Sequence, residues 1–150
     1  MAEKIDETDW AILDRLQQDG RISLTELGKG VNLSASATTE RVRRLEGAGV
    51  ITGYGARVDL EKVGYPVMAV VRLRYPGNQH QPLHQLLAQR REILECLRTT
   101  GDDCYVLKVV ARSMAHLEEL MNDFLIMGST TTNLVYSTTQ PLRGPARSSA

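Results

Sequence analysis

The chain has 150 residues, 42% of them apolar and 24% charged, which suffices for one domain or two small ones. Eighteen Lys and Arg balance eighteen Asp and Glu, which argues against a polyanion binder working by bulk charge but leaves local patches open. No apolar run approaches the ~18 residues of a membrane span, the opening MAEKIDETDW lacks a secretory pattern, and two cysteines make no disulfide framework, so a reduced, cytoplasmic chain is expected.

The charge is unevenly spread. Residues 1–19 hold two bases and six acids, net −4, and residues 20–58 hold six bases and three acids, net +3. Residues 6–19 read as a helix: Asp6 or Thr8 can cap it, Ile12, Leu13 and Leu16 share a face near Trp10, and Gly20 ends it. Ser23-Leu24-Thr25-Glu26 reads as a capping box that starts a short second helix with Leu24 and Leu27 apolar, stopped at Gly30. Val31-Asn32-Leu33 turns the chain. Ser34 caps a third helix running to about Ala48, with Thr38, Arg41 or Val42, and Leu45 as its inner stripe. Val50–Val58, interrupted by glycines, suggests one or two short extended pieces. Three helices with a tight turn between the second and third, then a β wing, spell a winged helix-turn-helix.

Gly64-Tyr65-Pro66 marks a boundary. Val67–Tyr75 alternates: Val67, Ala69, Val71, Leu73 and Tyr75 on one face, Met68, Val70, Arg72 and Arg74 on the other. Pro76-Gly77-Asn78 is a turn, and Pro82 opens a helix through Arg91 that buries Leu83, Leu86 and Leu87. Strands follow at Ile93–Thr100 and Cys104–Ala111 around the turn Gly101-Asp102-Asp103. Ser113 caps a helix with the stripe Leu117, Leu120, Met121, Phe124 and Leu125, ended by Gly128. Thr130–Thr138 is the last strand. The order βαββαβ predicts an α+β, ferredoxin-like unit whose helices cover one face of an antiparallel sheet. The other face would bare Met68 and Val70, and an apolar sheet face of that size marks an interface, so at least a dimer is expected. The expected organisation is 1–50 helix-turn-helix, 51–64 wing and linker, 65–139 effector-binding and oligomerisation domain, and 140–150 disordered tail.

In a helix-turn-helix the second helix of the pair enters the major groove by its N-terminal end. Ser34, Ser36, Thr39 and Glu40 stand there, small and polar enough to approach base edges. Arg41, Arg43 and Arg44 follow on the same helix, where phosphate contact sets register and makes affinity fall with salt. Arg41 lies beside the inner stripe and can instead brace the fold through a carboxylate. Two copies on a dimer would strengthen what one copy binds weakly.

The residues Ile5-Asp6-x-x-Asp9-x-x-Ile12-Leu13, Asp19-Gly20-Arg21-Ile22-Ser23-Leu24-x-Glu26-Leu27, Leu33-Ser34-x-Ser36 and Arg41-Val42-x-Arg44-Leu45-Glu46-x-x-Gly49-Val50-Ile51-x-Gly53-Tyr54 carry a resemblance. Together with the βαββαβ order they resemble the leucine-responsive/asparagine-regulator (Lrp/AsnC) family of feast/famine transcription factors, over about residues 5–138. The resemblance implies promoter DNA as a partner, dimers formed through the sheets and assembled into tetramers or octamers, and a small effector, commonly an amino acid, held between dimers. The family's Gly-Asp-x-Asp turn falls on Gly101, Asp102, Asp103 and Cys104; the cysteine is a departure. Its Thr-x-Thr falls on Thr130 and Thr132. Tyr105, next to the turn, joins the expected ligand-binding set.

The turn is also readable as chemistry. A glycine-led turn offers backbone N–H groups to a carboxylate, Asp102 or Asp103 can pair with an ammonium, and threonine hydroxyls from a neighbouring chain can complete the cage. The plain alternative is an ordinary hairpin turn. His80 and His84 could share a helix face, but no third metal ligand is near, and no cofactor or metal is expected. Cys96 and Cys104 fall on adjacent strands, where reduced thiols are expected unless they are directly opposed. Two other functions compete with a regulator. Sirohaem decarboxylases look similar in both domains, and a purely architectural DNA-bending protein would need no effector.

Overall fold

A computed structural model describes residues 4–76 and 80–147. Gly77 and Asn78 of the expected turn, and the last three residues of the expected tail, lie outside the described residues. The chain divides into two compact units, one of residues 1–57 with 140–150 and one of residues 58–139.

The first unit holds α1 (Glu7–Gln18), α2 (Leu24–Gly30) and α3 (Ala35–Gly47). Asp6 caps α1 in a reciprocal pair: its carboxylate accepts from Asp9 N–H at 2.8 Å, and Asp6 N–H donates back to the Asp9 carboxylate at 3.0 Å. Two of the otherwise orphaned donors of the first turn are thereby satisfied. Ile12, Leu27, Val42 and Leu45 form the core, one or two from each helix. Thr38, at a position where the stripe calls for an apolar group, is fully buried, and its hydroxyl donates to Ser34 O at 2.8 Å, so no polar atom is stranded. Gly28 makes the α2–α3 crossing possible: a Cβ there would lie 2.7 Å from Thr38 Oγ1 and 2.8 Å from Leu33 O. Residues 50–58, the expected wing, run without helix and without a paired strand among the described residues.

The second unit holds β1 (Val67–Arg74), α4 (Gln81–Gln89), β2 (Ile93–Arg98), β3 (Tyr105–Ala111), α5 (Met114–Leu125) and β4 (Ser129–Leu134). The strands form one sheet in the order β2-β3-β1-β4, antiparallel throughout. Ala69, Val71 and Leu73 of β1 and Tyr105, Leu107 and Val109 of β3 pack with Leu83 and Leu86 of α4 and Leu117, Leu120 and Phe124 of α5. Leu125, expected in the α5 stripe, is 65% exposed at the last position of the helix, while Leu117, Leu120 and Phe124 are buried and Met121 packs beside them. On the opposite sheet face Met68, Val70 and Val106 are half-buried, Leu97 is exposed, and Arg72 and Arg74 project.

Candidate nucleic-acid and effector sites

The α2–turn–α3 segment is built from local hydrogen bonds. Ser23 Oγ accepts from Glu26 N–H and donates to the Glu26 carboxylate. Asn32 takes the left-handed conformation (φ 57°) that reverses the chain, and Gly28 O accepts from both Val31 and Leu33 N–H. Ser34 Oγ caps α3 by accepting from Ala37 N–H and lies 3.1 Å from Ser36 Oγ. Thr39 donates back to Ala35 O at 2.7 Å. Ser34, Ser36, Glu40 and Arg43 are exposed and Thr39 is half-buried. Ser36, Glu40 and Arg43 follow at i, i+4, i+7, one face of the helix.

The three arginines do not form one outward row. Arg41 Nη1 donates to Asp6 Oδ2 and Asp9 Oδ1, both at 2.8 Å, and Arg44 Nη2 donates to both Asp9 oxygens at 2.6 Å. Arg44, expected to reach phosphate, is thus turned toward α1, as Arg41 is. The physical reason is Asp9, whose carboxylate is fully buried and needs cations to offset its desolvation. The hydrogen bond from Arg41, helped by that from Asp9 N–H, holds the Asp6 carboxyl down at about 2. Burial pushes Asp9 up, but Arg44, Asp6 N–H and Arg41 outweigh it, and Asp9 lies below its ordinary value. Asp6 and Asp9 hold Arg41 above its usual value in turn. The Asp-x-x-Asp spacing at the head of an acidic helix, beside a basic cluster, was the sequence signal for this brace. Arg43 has no ion pair among the described residues. Tyr54 is anchored by its hydroxyl, which donates to Glu46 Oε1 at 2.9 Å; burial and that carboxylate push the phenol up to about 12.

In the second unit the candidate turn is held from two sides. Gly101 sits at φ 99°, open only to glycine without strain. Thr99 Oγ1 donates to Asp103 O at 2.7 Å and Thr99 N–H to Cys104 O at 2.8 Å. Arg74 pairs with Asp102 at 3.0 Å and Arg72 with Asp103 at 3.7 Å, contacts absent from the sequence reading. Tyr105 is buried, and its hydroxyl meets His80 Nδ1 at 2.9 Å beside the Tyr75 ring. Thr130 and Thr132 stand opposite Leu73 and Val71, on the helix-covered face, and Thr132 Oγ1 meets Met121 Sδ at 3.4 Å. The arginine-paired carboxylates lean to the other face. One chain therefore does not bring the turn and the threonines into a single cage. Cys96 opposes Leu107, both thiols are free, and burial pushes Cys96 up. No cluster able to hold a metal ion occurs among the described residues, and no described helix is long and apolar enough to cross a membrane.

Known proteins share this fold. The HTH-type transcriptional regulator LrpC of Bacillus subtilis is 34% identical over 134 residues, 89% of this chain and 93% of LrpC. The feast or famine regulatory protein Rv3291c from M. tuberculosis, solved in complex with L-methionine, superposes with a TM-score of 0.89 at 31% identity, over 96% of this chain and 100% of that one. The transcriptional regulator NMB0573 of Neisseria meningitidis, also solved with L-Met, gives 0.86 at 26% identity over 92% and 94%. Fold and relatives define a DNA-binding transcriptional regulator, not an enzyme, which removes the decarboxylase alternative. The AsnC-type helix-turn-helix profile matches residues 5–46 and the Lrp/AsnC ligand binding domain profile matches residues 68–144. The chain belongs to the Lrp/AsnC family.

Proposed function

We propose that this regulator is a cytoplasmic homodimer, assembled further to a tetramer or octamer, whose promoter binding or assembly responds to an amino acid held between dimers. The observation that carries the reading is the outward N-terminal end of α3, where Ser34, Ser36 and Glu40 are exposed and Thr39 is half-buried, placed to meet base edges. Arg43 takes the phosphate contact, and Arg41 and Arg44 hold α3 against α1 so that the reading face is rigid. The half-bare sheet face of Met68, Val70, Val106 and Leu97 supports dimerisation, since a monomer would leave it wet.

The amino-acid effector is supported by the two relatives solved with L-methionine and by the chemistry of the turn. Gly101–Cys104 offers backbone N–H groups and the Asp102 carboxylate, 86% exposed at its side chain, while Tyr105, Thr130 and Thr132 complete the candidate set. Because the threonines face away from the turn within one chain, the cage closes only with a neighbouring chain. The test is fluorescence anisotropy on a panel of promoter fragments, with sedimentation velocity, each with and without the twenty amino acids. A shift in operator affinity or in sedimentation by one of them is expected. Promoter binding unmoved by all twenty, with an unchanged sedimentation profile, leaves an architectural protein without effector.

A further inference from the structure

The helix-turn-helix unit contains a cleft of about 730 Å3 that the reading face of α3 does not use. Trp10, Leu13 and Leu16 of α1 form one wall and Ile51 and Tyr54 another, and the C-terminal residues Leu142, Gly144 and Pro145 close a side. Those residues are held to α1 twice. Gln17 Nε2 donates to Pro145 O at 3.3 Å, and Arg147 Nη1 pairs with Glu7 Oε1 at 2.8 Å. A Cβ at Gly144 would fall on the Gln17 side chain, so the glycine permits the close approach. The sequence pattern gave no sign of this, because residues 140–150 have no apolar period.

The connectivity makes the contact consequential. The chain leaves this unit after Arg57, builds the other unit from residues 58–139, and returns at Gln140. We propose that residues 142–147 are a detachable strap that docks in the apolar cleft of α1 and ties the effector unit to the DNA-binding unit by a second tether. The occupant is this chain's own C-terminal segment. Its hold is weak by construction. The ion pair is exposed at both ends, 53% and 82%, and such pairs contribute little and are screened by salt. Leu142 is 87% exposed, so the apolar part of the docking is shallow. A weak strap can be released by a modest change elsewhere in the molecule, leaving the DNA-binding unit on the single linker near residue 57. Its effective concentration at a second half-site then falls.

Trp10 is the only tryptophan of the chain and lines the cleft that Leu142, Gly144 and Pro145 close, so its fluorescence reports on whether that side of the cleft is covered. A chain ended after Gln140 is compared with the full chain. Its Trp10 emission is expected to move to the red, its acrylamide quenching to rise, and the amplitude of nanosecond anisotropy decay to grow as the unit gains independent motion. The same changes are expected on adding salt to the full chain but not to the shortened one. The charge reversal Arg147→Glu should mimic the truncation, and Glu7→Arg combined with Arg147→Glu should restore the full-chain signal. Both positions are exposed, so folding is not at stake. Identical quenching in the full and shortened chains overturns the docking. Increased quenching with unchanged anisotropy decay overturns the tether. Recovery of the signal on mixing the shortened chain with full-length Trp10→Phe chain overturns the intrachain assignment in favour of exchange between copies.

Discussion

Replacing Asp9 by Asn removes one charge and replaces one of the two acceptor oxygens facing Arg41 and Arg44 by a donor. The amide oxygen can still accept from Asp6 N–H, so the cap of α1 survives, while Arg41 and Arg44 lose a carboxylate that both of them bind. Breaking a buried ion pair costs about 3–5 kcal/mol when the remaining charge is stranded. Here the stranded partners are arginines whose side chains are 30% and 38% exposed, so water re-solvates much of them and the expected loss is about 2 kcal/mol. A small unit unfolds in urea with a slope of about 1 kcal/mol/M, so the midpoint should fall by roughly 2 M. Trp10 fluorescence follows this unit alone. Acid adds an independent check. Asp6 and Asp9 are both held below the ordinary 3.8, so their contribution is complete above that value and is lost as pH falls through the folded values, near 2 for Asp6. The wild-type midpoint should drop between about pH 4 and 2, and the Asp9→Asn midpoint should drop less. A variant midpoint within about 0.5 M of wild type at pH 7 would refute the brace, since the slope would then leave no room for a lost buried charge pair.

Other outcomes follow from the same geometry. Arg43→Ala should weaken binding to every duplex and reduce the salt slope by about one, whereas Arg44→Ala should lower the Trp10 urea midpoint with a smaller change in slope; equal slopes in both variants would return Arg44 to the phosphates. Met68→Asp should yield monomers by sedimentation velocity, because dimerisation would bury an unpaired carboxylate; a persisting dimer would move the interface off the sheet. Asp102→Ala should keep fold and DNA binding and abolish the amino-acid response, and an intact response would assign the ammonium to another group.

The elements of this protein were legible in its sequence because they rest on short-range chemistry. Ser23, Ser34 and Ser113 announce helix starts through bonds to residues three positions on, and the alternation in β1 separates Ala69, Val71 and Leu73 from Arg72 and Arg74 without reference to anything distant. The helix-turn-helix and the open sheet face followed from such patterns, and the family from the resemblance carried by the residues between Ile5 and Tyr54. What a side chain does once two elements meet was legible only in part: Arg41, beside the inner stripe, reads as a brace on a carboxylate, and it is one, on Asp6 and Asp9. Arg44 reads as a phosphate ligand until α1 brings Asp9, 35 residues away, under it. Asp102 reads as a partner for a ligand's ammonium or as a turn residue, and only β1 sets Arg74, 28 residues away, beside it. Helix caps and strand faces are decided by neighbours in the chain, so residue order determined them. Ion pairs, strand partners and the docking of residues 142–147 on α1 depend on which surfaces packing brings into contact, and only the tertiary structure decided those.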